Sequence, residues 1–261
     1  MEEKPNTEEL TSKIIELGAE IAGGTSAAAV GLLLAGPPGA IIGAVGGPLL
    51  THSIKQIASE LKNRFLGKRE EARIGATLAY AITKIDSNLK SGKKIRSDDF
   101  FNDKINERSA SKEILEGTLL AAQKEHEEKK LKYYGNLVAN LSFDHRFDKA
   151  QANFLLKISE NLTYRQLCIL SMINEKEKYQ LRDHDYRGGV SFSFKLISLL
   201  QEIFDLYNLC LVAGGGEAYL GFTDVNPTKI ELQGSGNFLL QLMEINNIPE
   251  EEKVTIVDLL K

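Results

Sequence analysis

The sequence predicts a mainly α-helical chain that ends in a small module of mixed helix and strand, and three patterns lead to this prediction. Apolar residues recur at helical spacing through most of residues 67–174. Residues 21–54 form an uncharged run with a small residue at every fourth position. Beyond residue 190, short β-type runs separated by glycines interrupt the helical pattern. We therefore predict a glycine-zipper helical hairpin, a helical bundle and a C-terminal winged-helix-like α+β module.

These regions divide the chain into three predicted domains. Residues 1–66 hold an N-terminal helix and the Gly/Ala-rich hairpin, residues 67–160 the helical bundle, and residues 161–261 the winged-helix-like domain. A chain of 261 residues is long enough to bury a core in more than one of them. Cys168 and Cys210 lie in apolar runs, so both are predicted to be small buried side chains in a reducing cytoplasm. The acidic N-terminus lacks the pattern of a secretory signal.

The uncharged run of residues 21–54 predicts a helical hairpin. Pro37 and Pro38 remove two backbone donors and disfavour helix at the residue before them, so the run divides into two arms, residues 21–36 and 39–51. Small residues four apart share one face of each arm and allow close helix packing. They are Gly23, Ala27, Gly31, Ala35, Gly39, Gly43 and Gly47. We expect the hairpin to pack against further copies of the chain.

The flanks of this run favour contact with a membrane. Residues 1–20 carry six acids and two bases, whereas residues 55–73 carry six bases and three acids. Basic residues beside an apolar segment favour the cytoplasmic leaflet and anionic lipid. The predicted membrane-surface residues are Lys55, Lys62, Arg64, Lys68 and Arg69. We expect a transmembrane or membrane-dipping hairpin on the cytoplasmic side of the inner membrane, or a cytoplasmic chain until activation. Each arm is short for a full span, so a buried Gly/Ala-rich core element is the alternative.

Helix signals predict the order of elements in the middle of the chain. One helix is predicted to end near Leu89, and another to begin near Ser109. The charge-dense residues 124–132 are predicted to be solvated helix surface. Thr163 is a predicted N-cap. The apolar positions that follow it and are expected to face a core are Leu167, Leu170 and Ile173.

The sequence does not predict an enzyme. Asp144, His145 and Asp148, like residues 183–185, lie in polar connections where solvated charges are expected, and no nucleophile arrangement accompanies them. The four histidines lack the paired spacing of a zinc site. Residues 36–43 resemble a phosphate loop but lack its Lys and Ser/Thr. We therefore predict no catalytic residue, no cofactor and no metal.

Charge also argues against nucleic acid as a partner. The net charge of −4 is not that of a nucleic-acid-coating protein. The candidate recognition helix, residues 193–208, holds only Lys195 as a base, with Glu202 and Asp205 as acids. A separate basic run is interpreted as a solvated turn, with phosphate contact as the alternative. It comprises Lys90, Lys93, Lys94 and Arg96.

Glycines near the C-terminus predict a β-hairpin. Residues 214–216 are all glycine and separate the runs LCLVA and AYLGF, residues 209–213 and 218–222. A turn that needs positive φ explains these glycines without a ligand. The following segment SGNFLLQLMEI, residues 235–245, is the predicted closing helix.

Three stretches resemble the Abi-alpha type of phage-resistance protein. They are EEKKLKYYGNLVANLSFD at residues 127–144, ANFLLKISENLTYRQLCIL at residues 152–170 and KIELQGSGNFLLQLMEI at residues 229–245. The resemblance covers roughly residues 110–246 and leaves the glycine-rich hairpin outside it. It implies a role in abortive infection, in which a sensing event is converted into damage to the infected cell, and it transfers no catalytic residue.

Two main functions fit these observations. The first is a non-enzymatic, membrane-active and pore-forming effector in antiviral defence, whose hairpin oligomerises and perturbs or binds the inner membrane. The second is a soluble winged-helix regulator or adaptor that uses the hairpin as an oligomerisation core. A structural adaptor that docks through residues 124–132 is a third. The expected partners are a second copy of the chain, anionic membrane lipid and a sensor protein.

Overall fold

The computed structural model describes Gln56, residues 67–188 and residues 191–261. Within these ranges the protein is mainly helical, with eight α-helices and one two-stranded sheet, as the sequence predicts. The chain divides into two compact units, Met1–Glu160 and Asn161–Lys261, called here the N-terminal and C-terminal units. The predicted N-terminal helix and the hairpin of residues 21–54 lie outside the described residues.

Four helices form the described part of the N-terminal unit. They are α1 (Lys68–Lys90), α2 (Ala110–Lys124), α3 (Leu131–Leu141) and α4 (Lys149–Asn161). The predicted end of the first helix near Leu89 and the predicted start at Ser109, the N-cap of α2, are both confirmed. The apolar stripe of α1 is buried, with Leu78 and Ile85 at 1% and 2% exposure. This stripe faces the unit's core, because its spacing keeps it on one side of the helix.

The α1 and α3 helices pack closely at Gly135. A Cβ atom at this position would lie 2.7 Å from the Cβ of Tyr80 and 2.8 Å from the backbone oxygen of Thr77. Real Cβ atoms do not approach other atoms this closely, and a helix backbone has little freedom to withdraw. Gly135 is therefore required by the crossing of the two helices and not by a turn.

The prediction of a solvated helix surface at residues 124–132 is wrong for Glu125 and Lys130, which are buried, and for the helix, which is interrupted. The side chains that are exposed as predicted are Lys124, His126, Lys129 and Lys132. Helix α2 ends at Lys124, and a 3₁₀ turn at Glu128–Lys130 precedes α3. Lys130 Nζ lies 2.6 Å from Glu125 Oε2, and both side chains are buried. The hydroxyl of Tyr134 donates to the same carboxylate oxygen at 2.9 Å. Glu125 and Lys130 can be buried because their charges neutralise each other and the Tyr134 hydroxyl donates a further hydrogen bond to the carboxylate.

Four helices and a small sheet form the C-terminal unit. The helices are α5 (Tyr164–Asn174), α6 (Phe194–Asn208), α7 (Ser235–Met243) and α8 (Val254–Leu259). Strands β1 (Val212–Ala213) and β2 (Glu231–Leu232) pair antiparallel. The predicted cap of α5 is confirmed, because the Thr163 hydroxyl accepts from the Gln166 backbone N–H at 3.1 Å. The predicted core positions Leu167, Leu170 and Ile173 are buried.

The predicted strand at residues 218–222 is wrong. A 3₁₀ turn at Phe222–Asp224 follows a bend there, and the partner of β1 is β2. The glycine turn is confirmed, with Gly215 and Gly216 at φ of 62° and 93°. The physical reason for the missing strand is the Asp224 carboxylate, which accepts from backbone N–H groups that a strand would need.

Glycine also sets the start of α7. A Cβ atom at Gly236 would lie 2.0 Å from the backbone oxygen of Leu211, which also accepts from the Gln233 backbone N–H at 3.0 Å. The α7 backbone therefore lies directly against the residue before β1. Only glycine permits this approach, which fixes α7 beside the sheet.

The expectation of a membrane-spanning, pore-forming protein of antiviral defence is corrected. Among the described residues, no helix is both long and apolar enough to cross a membrane. The longest, α1, has 23 residues, but eight of them are charged. Charged side chains are costly in the hydrocarbon of a bilayer. Nothing in the structure supports a defence or pore function.

Candidate functional site

Most of the site residues predicted from the sequence lie outside the described residues. These are Gly23, Ala27, Gly31, Ala35, Gly39, Gly43 and Gly47 of the predicted packing face, and Lys55, Lys62 and Arg64 of the predicted membrane surface. Lys68 is the first residue of α1. Arg69 lies on the next position, with its Nε 2.9 Å from Glu128 Oε1 and 74% of its side chain exposed.

The predicted basic run, which begins at the last residue of α1, is not a simple solvated turn. Lys90 pairs with Asp86 at 2.6 Å, and Lys93 donates to Asn88 Oδ1 at 3.3 Å. Arg96 is buried: its Nε lies 2.8 Å from Asp98 Oδ1, and its Nη1 donates to the backbone oxygen of Asp144 at 2.9 Å. The prediction is therefore wrong for Arg96, which cross-links this loop to the residues after α3.

A charged cleft of about 270 Å³ lies beside Arg96, between residues 96–110 and residues 145–151. Several of the charged residues that line it form ion pairs. Lys104 lies 2.8 Å from Asp99, and Lys149 lies 2.9 Å from Glu107 and 2.7 Å from Glu113. The hydrogen bond from Lys149 is the main cause that lowers the pKa of the Glu113 carboxyl.

The predicted polar connection at residues 144–148 forms part of this cleft. Asp144 pairs with Arg146 at 2.6 Å, and that hydrogen bonding lowers the pKa of the Asp144 carboxyl. Asp148 caps α4, because its Oδ1 accepts from the Gln151 backbone N–H at 2.8 Å. His145 lines the cleft and is exposed. A ligand in the cleft would have to displace paired charges, so the arrangement is best explained as one that ties loops together.

The second polar connection, residues 183–185, is also paired. His184 Nδ1 lies 2.6 Å from Asp183 Oδ1, and this contact lowers the pKa of the Asp183 carboxyl. Among the described residues, no group of His, Cys, Asp and Glu is placed to hold a metal ion. Cys168 is buried as predicted, whereas Cys210 is exposed, with φ at 55°. The prediction of a buried Cys210 is therefore wrong, because the chain turns sharply between α6 and β1.

Two large apolar side chains stand out on the C-terminal unit. Phe194, the first residue of α6, is 86% exposed, and Leu220 is 89% exposed. Their segments are neighbours, because the rings of Phe192 and Phe222 lie 6.3 Å apart in an edge-to-face arrangement. Phe192 also lies 6.4 Å from the ring of the buried Tyr186. Phe194 and Leu220 are called the apolar surface below.

The outward face of α6 continues from this apolar surface. Phe194, Gln201, Asp205 and Asn208 recur at helical spacing and are all exposed, while Leu199 and Ile203 on the opposite side are buried. Glu202 does not add to this face as a free charge, because Arg165 binds its carboxylate and the Ser198 hydroxyl. The C-terminal unit as a whole carries nine bases and fourteen acids, a net charge of −5.

The apolar surface is not predicted from the sequence. Phe194 follows the N-cap Ser193, whose hydroxyl accepts from the Leu196 backbone N–H, and lies off the stripe that begins at Leu196. That offset from the buried stripe indicates that Phe194 faces away from the core. The sequence around Leu220 gives no such indication, because it resembles a strand.

No protein-family model, curated protein or solved structure matches this chain. The interpretation of the site therefore depends on its own geometry and charge.

Proposed function

We propose that this protein is a non-enzymatic adaptor or regulator that binds another protein through its C-terminal unit. We further propose that the unit is a winged-helix-like module. The order of α5, α6, the β1–β2 pair and α7 supports this, with α6 in the place of a recognition helix and residues 214–230 in the place of a wing.

The apolar surface is the observation that carries this proposal. A single exposed leucine or phenylalanine is ordinary, because much of any protein surface is apolar. Phe194 and Leu220 are different in being almost fully exposed on two segments that contact each other. Exposed aromatic and aliphatic side chains of this kind serve as anchors that fill pockets of a partner.

The charge of the module favours a protein over a nucleic acid. A duplex-binding helix directs Lys and Arg at phosphates and base edges. The outward face of α6 instead presents Gln201 and Asp205, and the unit has a net charge of −5. We expect no mobility shift of duplex DNA by the full-length chain at low salt.

Site-specific photocrosslinking tests the proposal. A photoreactive amino acid is placed at position 194, at position 220 or at Thr255, an exposed residue of α8. We expect positions 194 and 220 to give an adduct with the same protein and position 255 to give none. Adducts that are equal at all three positions, or absent at 194 and 220, would contradict the proposal.

Self-association through residues 21–54 is a separate proposal that rests on the sequence. The four-residue spacing from Gly23 to Gly47 supports it, because small residues on one face permit close helix packing. We expect light scattering to give an oligomer for the wild-type chain and a smaller species for Gly39→Leu/Gly43→Leu/Gly47→Leu. Equal masses for the two chains would exclude this role for the glycines.

A further inference from the structure

The turn that carries Leu220 is organised around one carboxylate. Asp224 Oδ2 accepts from the backbone N–H of Leu220 at 2.6 Å and from that of Gly221 at 3.1 Å. Its Oδ1 accepts from Arg187 Nε at 2.7 Å. Only 7% of Asp224 is exposed. A carboxylate with three donors on two oxygens fixes the path of the chain from residue 220 to residue 224.

The rest of the turn is tied down on both sides. The backbone N–H of Tyr186 donates to the backbone oxygen of Thr223 at 2.8 Å, and the Asp224 N–H donates to the Gly221 oxygen at 3.1 Å. The Phe222 ring packs against that of Phe192. The turn therefore places the Phe222 ring against Phe192, while Leu220, two residues earlier, remains 89% exposed.

An unrestrained turn would not keep Leu220 in this position. Removal of apolar surface from water is favourable, so a flexible segment would fold its leucine against the neighbouring rings. The hydrogen bonds to Asp224 restrain the backbone at residue 220 itself. The Arg187 hydrogen bond also lowers the pKa of the Asp224 carboxyl to about 2, so the carboxylate is charged throughout the physiological range.

We propose that Asp224 is a positioning residue, which holds Leu220 outward before a partner binds. Preorganised anchors lose less conformational freedom on binding, so the turn raises affinity without touching the partner. The inference rests on the proposed function, since it treats Leu220 as part of the apolar surface. Its test uses the free full-length chain, so the two proposals can fail separately.

The test measures the exposure of the Leu220 methyl groups and the exchange of two amides by NMR. In the wild type, a soluble nitroxide should broaden the Leu220 methyl signals strongly. In Asp224→Ala, broadening should fall by about twofold or more as the side chain collapses onto apolar neighbours. Amide exchange at Leu220 and Gly221 should accelerate by about tenfold or more, with no matching change in α5.

Two further variants separate positioning from general destabilisation. Asp224→Asn keeps an acceptor oxygen but loses the charge. Its methyl broadening and amide exchange should therefore lie between those of the wild type and Asp224→Ala. Asp258→Ala removes a carboxylate that pairs with Lys261 at 2.7 Å and should leave both readouts unchanged. If Asp224→Ala does not fold, Arg187→Gln replaces it, with a smaller acceleration expected in the same two amides. The inference would be overturned if the folded Asp224 variants kept the methyl broadening and the amide exchange of the wild type. It would also be overturned if amide exchange accelerated evenly over the whole C-terminal unit.

Discussion

The charged cleft of the N-terminal unit and the apolar surface of the C-terminal unit differ in how far their side chains are paired with other residues. In the cleft, Lys104, Lys149 and Arg96 each meet a carboxylate, so its many charges satisfy one another. In the part of the chain that the structure describes, the Phe194 and Leu220 side chains of the apolar surface are almost fully exposed. The dense charges of the cleft therefore stabilise the fold, whereas the candidate binding surface consists of two uncharged side chains.

The largest change in the free energy of unfolding is expected at the buried pair of Glu125 and Lys130 in the N-terminal unit. Lys130→Ala leaves the Glu125 carboxylate buried without its counter-ion, which should lower the free energy of unfolding by about 3–5 kcal/mol. Urea denaturation measures it. The control is Glu125→Leu/Lys130→Met, which removes both charges and should recover most of the loss. Equal instability of the two variants would show that packing, and not charge pairing, holds this region.

A smaller effect is expected at the helix crossing of the N-terminal unit. Gly135→Ala places a methyl group against the backbone of α1, which should cost about 1–3 kcal/mol in the free energy of unfolding. Gly117→Ala is the matched control within a helix, because its methyl group meets only the end of the Leu156 side chain. It should be neutral or stabilising, since alanine favours helix over glycine. A neutral Gly135→Ala would contradict the close crossing of α1 and α3.

A third effect is a loss of stability in acid. The pKa of Asp224 in the folded protein, about 2, lies below the ordinary value of an aspartate, about 3.9. Its stabilisation is therefore complete above about pH 4 and is lost as the pH falls through about 2. Thermal unfolding between pH 5 and pH 2 should show a shallower loss for Asp224→Asn than for the wild type. Parallel curves would mean that this carboxylate does not stabilise the turn.

Local signals in the sequence predicted much of the fold. Periodicity identified the buried stripe of α1, and capping chemistry identified Thr163, because both depend on residues close in sequence. Glu125, Lys130 and Tyr134 could not be identified in this way, since burial of a charge depends on its tertiary partner. The same holds for Asp224, whose carboxylate converts a strand-like segment into a turn.

The candidate site was less predictable than the fold. Charge in the sequence indicated only that the helix at residues 193–208 carries few bases. It could not reveal that Arg165 binds the Glu202 carboxylate, or that the Phe192 ring packs against Phe222. These facts depend on contacts across 30 and 37 positions of the chain, which local patterns do not encode.

The central claim is that Phe194 and Leu220 serve binding and not folding. The most direct measurement compares Phe194→Ser/Leu220→Ser with the wild type, using the protein crosslinked from positions 194 and 220 as the ligand. Because both side chains are already exposed, the free energy of unfolding should change by less than about 0.5 kcal/mol. Affinity should fall by about tenfold or more, as expected when anchor side chains are removed. Unchanged affinity in the folded double variant would contradict the account.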